Sequence, residues 1–97
     1  MFNKLKQFKD LRNQAKQLQG QLAQESAEGT AEWNKIKIQA NGNMEILSVQ
    51  IDPELISVDK KDKLENGIKE ATNSAIKKAQ SLMAEKVKSS GFKMPEM

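Results

Sequence analysis

Histidine and cysteine are both absent from the 97-residue chain. Their absence removes disulfides, Cys-based metal sites, thiol nucleophiles and every catalytic pair that relies on imidazole. What remains able to act is charge. Lys9, Arg12 and Lys16 recur at the spacing that gathers side chains on one flank of a helix. Lys63, Lys77 and Lys88 share one face of a second helical stretch, with Lys78 at its edge. Cations in such rows neutralise phosphates and release counterions without a fixed donor geometry. The most suggestive carboxylate, Asp52 ahead of Pro53, has the residue order of a helix cap, which already accounts for it. The residues thus favour a binding protein over an enzyme, with no catalytic residue, metal, cofactor or small-molecule substrate.

The charge is unevenly laid out. Residues 1–24 carry five basic residues against Asp10, residues 25–58 two against six acids, and residues 59–97 nine against six. Two basic ends around an acidic middle point toward a polyanionic partner. Fifteen of the sixteen basic residues are Lys, and Arg12 is the only Arg. Because the commonest specific base contact is bidentate Arg to guanine, direct sequence reading has few tools here.

The elements that must position these charges follow from periodicity. Phe2, Leu5, Phe8, Leu11, Ala15, Leu18 and Leu22 step by threes and fours, which predicts a helix over residues 1–24, with Lys9, Arg12 and Lys16 beside its apolar stripe. Residues 25–31 are small and polar and read as either a loop or a short edge strand. Ile36, Ile38 and Ala40 then alternate with polar residues, as a half-buried strand requires. Asn41-Gly42 signals a type I′ hairpin, and the return strand places Leu47, Val49 and Ile51 on one face. Trp33 falls out of step with Ile36, so a bulge or strand start is expected between them.

Residues 53–57 form a helical turn, and a last helix is expected over 59–89, capped by Asp59 and carrying Leu64, Ile68, Ala71, Ala75, Ala79 and Leu82 in its stripe. Residues 91–97 read as a flexible tail. The expected architecture is one α+β domain over 1–97: a long N-terminal helix, a small antiparallel sheet of two or three strands within 25–52, and a long C-terminal helix. Thirty helical residues span roughly 45 Å, longer than the ~30 Å diameter of a globule this size. The stripe must therefore project and be covered, most economically by a second copy. Leu11, Leu18, Leu22, Leu47, Val49, Ile51, Leu64 and Ile68 are the expected core and dimer positions.

The run Ile36-Lys37-Ile38-Gln39-Ala40-Asn41-Gly42, followed by Val49-Gln50-Ile51-Asp52-Pro53-Glu54-Leu55, resembles the YbaB/EbfC family of bacterial nucleoid-associated proteins. The likeness continues through Asn73-Ser74-Ala75-Ile76-Lys77-Lys78-Ala79 with Leu82-Met83, the Lys- and Gln-rich first helix, and the ending Gly91-Phe92-Lys93-Met94-Pro95. It implies an α–β–β–β–α subunit, a tweezer-like homodimer with paired projecting helices, binding of double-stranded DNA with weak sequence preference, and a place in the nucleoid. Two features depart from the family. Residues 27–33 hold Gly29 alone where members usually carry several glycines, and the last helix opens with Lys60, Lys61 and Lys63 where many are more acidic.

Two other readings compete. In the first, the projecting helices are a scaffold for other proteins and the charge only keeps them soluble. In the second, Phe2, Leu5 and Phe8 with Lys4, Lys6 and Lys9 form a basic amphipathic membrane anchor. No stretch approaches the ~20 apolar residues of a membrane span, and the N-terminus lacks the apolar run of a signal peptide. A cytoplasmic, nucleoid-associated DNA binder without membrane contact is the expectation.

Overall fold

The computed structural model describes residues 2–89, with side chains from residue 7 onward. The tail 91–97 and the side chains of Phe2, Lys4, Leu5 and Lys6 lie outside the described residues. Helix α1 spans Phe2–Gln24, strands β1, β2 and β3 span Ser26–Ala31, Ile36–Asn41 and Ile46–Ile51, and helix α2 spans Lys61–Ser89. Between β3 and α2 lie two 3-10 turns, Pro53–Leu55 and Val58–Lys60. The sheet is antiparallel in the order β1-β2-β3. The molecule measures 66 × 23 × 20 Å with a radius of gyration of 18.4 Å, against about 12.5 Å for a compact chain of this length.

Residues 25–31 are a strand, and their small side chains have a packing reason. Ala27 and Ala31 face inward and are buried, and α2 lays Ala71, Ala75 and Ala79 against them. Between them, an added Cβ on Gly29 would overlap the Ala71 carbonyl and come 2.5 Å from Ala75 N. Strand and helix backbones are thus in near contact, which only Gly allows at that position. Ile36 and Ile38 fill the core beside them, with Ile51, Leu64, Ile68 and Leu82 partly buried around the edge.

The strand β3 corrects the expected face. Ile51 pairs with Ile36 and Val49 with Ile38, but a bulge between Gln39 and Ala40 brings Ile46 rather than Leu47 opposite Ala40. The extra residue breaks the two-residue period. Helix α2 lies over β1 and β2, so Ile46, Leu47 and Val49 are about half exposed. Leu47 and Val49 are therefore not part of the subunit core.

Both turns also differ from expectation. Neither Asn41 nor Gly42 has positive φ; Met44 does, at 64°, within a longer loop. Asn41 instead organises that loop by accepting from Asn43 N at 2.9 Å and Glu45 N at 3.1 Å through its side-chain oxygen. The tight turn lies between β1 and β2, where Lys35 N donates to Glu32 O at 3.1 Å. Its central residues are Trp33 (φ 58°) and Asn34 (φ 66°), preceded by Glu32 at 52°. A positive φ at both central positions is the type I′ pattern, which favours Asn and Gly. A non-Gly residue in this region carries strain of order 1–3 kcal/mol.

Asp52 caps the first 3-10 turn, accepting from Glu54 N at 2.9 Å, with Pro53 at its first position. Asp59, expected to cap the last helix, lies inside the second 3-10 turn, and α2 starts two residues later. Ser57, in extended conformation, precedes that turn.

Candidate nucleic-acid interface

Helix α1 leaves the sheet at the end where Ser26 pairs with Asn41. Its attachment is the last turn. Leu22 is buried, and its carbonyl accepts from Gly42 N at 2.8 Å and Glu25 N at 3.2 Å, which satisfies a group the helix end would leave open. The Asn43 side-chain amide donates to Gln19 O at 3.0 Å. Beyond these contacts α1 runs outward, with Leu11, Ala15 and Leu18 half-buried and Phe8 exposed. Helix α2 approaches the same end: it lies over Ile36 and Glu32 at Gly67, over Gly29 at Ala71 and Ala75, and pairs Lys86 with Glu25 at 3.2 Å. The C-terminal part of α2 and the bulk of α1 therefore stand at one end of the sheet, and the Trp33 turn at the other.

Among the described residues three ion pairs engage lysines: Lys35–Glu54 at 2.6 Å, Lys61–Glu65 at 3.0 Å and Lys86–Glu25. Glu54 both accepts a hydrogen bond from Lys35 and attracts its charge, raising the ammonium above its ordinary pKa. None of the seven basic residues singled out by spacing belongs to these pairs, and all seven are exposed.

They are not one patch. Lys9, Arg12 and Lys16 lie within about 10 Å along α1. Lys63 and Lys88 are 25 residues apart on α2, roughly 38 Å by helical rise. Lys63 is at the foot near the 3-10 turns, and Lys88 belongs to the end shared with α1. Lys78 has a local partner that spacing does not reveal: its ammonium donates to Glu28 O of β1 at 2.8 Å. β1 is an edge strand, and Lys78 of α2 thereby occupies one of its backbone acceptors.

Among the described residues, the grooves along α2 are of mixed chemistry. Shallow grooves lined by Glu25, Leu82, Glu85 and Lys86, and by Glu28, Lys78 and Ser81, mix single charges with apolar atoms. Among the described residues no group of three carboxylates comes together to hold a cation, and no helix is long and apolar enough to cross a membrane.

The sequence pattern of the YbaB/EbfC DNA-binding family matches residues 1–94. The chain belongs to that family. Its members are DNA-binding proteins rather than enzymes. The chain is 37% identical to a nucleoid-associated protein of Dictyoglomus thermophilum over 94 residues, 97% of this chain and 90% of that one. It is 32% identical to a nucleoid-associated protein of Caldanaerobacter subterraneus subsp. tengcongensis over 95 residues, 96% of this chain and 86% of that one. The crystal structure of an uncharacterized protein from Helicobacter pylori shares the fold of this YbaB/EbfC chain, with a TM-score of 0.65 at 19% identity over 91% of this chain and 98% of that one.

Proposed function

We propose that this YbaB/EbfC-family chain is a nucleoid-associated protein that binds double-stranded DNA as a homodimer. It holds the duplex by neutralising phosphates and reads little base sequence. The observation that carries this reading is the state of Lys9, Arg12 and Lys16: exposed, outside the three ion pairs among the described residues, on a helix that stands clear of the body. Lys77 and Lys88 add charge from α2, while Lys78 contributes only by exchanging its Glu28 carbonyl for a phosphate. Phosphate contacts carry no sequence information, and a single Arg limits direct reading of guanine.

The half-exposed Ile46, Leu47 and Val49 and the open stripe of α1 support the homodimer. An uncovered apolar sheet face in water calls for a second surface. Titration of duplex DNA at two salt concentrations tests the reading. Six phosphates neutralised by the α1 cations of a dimer give a log–log salt slope near −5, at roughly −0.9 per phosphate. Affinity indifferent to salt would instead favour an apolar helical scaffold.

A further inference from the structure

Trp33 is 95% exposed and Val58 is 92% exposed, and both stand at the end of the sheet away from α1. Asp52 N donates to Lys35 O at 2.8 Å and Lys35 pairs with Glu54, so the Trp33 turn is fastened to the segment that leads into Val58. The turn holds its indole outward on three successive positive-φ residues, although Gly or Asn would sit there with less strain. Beside it, Ile56, Val58 and Leu64 line an apolar groove of about 430 Å³, with Lys61 at the rim.

We propose that Trp33 of one copy seats in the Ile56–Val58–Leu64 groove of a second copy, reciprocally about a two-fold axis. Charge selects this occupant. Glu54, Asp52 and Glu32 all act on Lys35, and with Lys37 nearby the carboxylates beside the knob outnumber the lysines three to two. The groove carries Lys61, whose pair with Glu65 is exposed and easily exchanged for a carboxylate beside the incoming Trp33. The indole and the groove are both apolar, the carboxylates beside the one face Lys61 at the rim of the other, and both lie on one subunit, as a symmetric contact requires.

The contact is small. Each indole buries some 150–250 Å² and covers a similar area of groove, so two reciprocal seats total about 800 Å², below the ~1,200 Å² of stable complexes. It therefore joins dimers weakly in solution and gains strength where linkage raises the effective concentration toward ~1 mM. Foot-to-foot joining turns the α1 ends outward on both sides. Where those ends bind DNA, as proposed above, the joined pair spans two duplexes, but the contact itself does not depend on DNA.

Trp33 is the only tryptophan, so its fluorescence reports the seat directly in the unmodified protein. On concentration, the emission should shift to shorter wavelength and acrylamide quenching should fall at least about twofold. Trp33→Gly suits the turn and should fold normally, but should form no species larger than the dimer in sedimentation. Val58→Glu should keep the indole solvated, and mixing the two variants rebuilds one seat and restores part of the shift. Emission that stays solvent-like at every concentration overturns the proposal. So does a shift that Val58→Glu leaves intact, including one produced only by added duplex DNA, which would mean stacking on bases.

Discussion

Leu22 and Gly42 are in van der Waals and hydrogen-bond contact at once: Gly42 N reaches Leu22 O at 2.8 Å, and an added Cβ would stand 2.7 Å from Leu22 Cδ2. Through this pair the β2–β3 loop holds the base of α1. The glycine is needed for the closeness of the helix rather than for a left-handed turn.

Gly42→Ala should therefore push Leu22 aside. Overpacking of this kind costs about 1–3 kcal/mol, and each kcal/mol lowers the melting temperature by about 4–8 °C in a domain of this size. Thermal unfolding with backbone NMR should show the loss together with shifts confined to Gln19–Glu25 and the loop. An unchanged melting temperature would mean that Leu22 yields without penalty.

Replacing Lys9, Arg12 and Lys16 together by Gln should weaken binding to every duplex by a similar factor while leaving the fold intact, since Gln keeps helix propensity near that of Lys. The wild-type affinity should drop about a thousandfold between 50 and 200 mM salt, and the triple variant should show a much shallower dependence. Wild-type affinity in the folded variant would move the interface off α1.

Leu11→Asp and Leu18→Asp place a carboxylate in the open stripe of α1. An ion buried there without a partner costs several kcal/mol, enough to weaken dimerisation at least about a hundredfold. Melting temperature should fall with it, because obligate dimers often lack a stable monomer. Sedimentation equilibrium decides; a folded wild-type monomer at micromolar concentration would sink the dimer.

Lys35 sets an alkaline limit on the fastening of the Trp33 turn. Its pKa is raised by the hydrogen bond and charge of Glu54. The stabilisation is complete below the ordinary lysine value of about 10.4 and is lost as pH rises through the higher folded value. Unfolding followed from neutral pH to about 11.5 should show a small late loss that Glu54→Gln removes. The step will be modest, since the pair is exposed.

The two helices and β2 were legible because apolar residues recur at the period of each element, from Leu11 to Leu22 and from Ile36 to Ala40. For β1 the residues alone left loop and edge strand both open, because its inward residues are Ala and Gly, chosen for the approach of α2 and silent in a hydropathy pattern. The hairpin signal of Asn41-Gly42 marked the right loop for the wrong reason. Asn41 serves by its side chain and Gly42 by its lack of one, while the type I′ geometry fell to Trp33-Asn34. Exposure of the seven basic residues followed from their helical faces. The tie between Lys78 and Glu28 O joins positions 50 residues apart and has no local signature.

The footing of α1 on Leu22 makes the helix a lever arm. About 20 Å of helix separates Leu22 from Lys9, so a tilt of about 10° at the base carries Lys9 through roughly 3.4 Å and Lys16 through about half that. At Lys9 the sweep is about one axial step, 3.4 Å, between successive phosphates of one strand. If the three cations hold phosphates as proposed, they would follow a duplex as its groove widens, narrows or bends, without any change in the packing of the sheet. On the proposed DNA reading, uniform grip on unlike sequences would come from the freedom of a hinge and not from the absence of contacts.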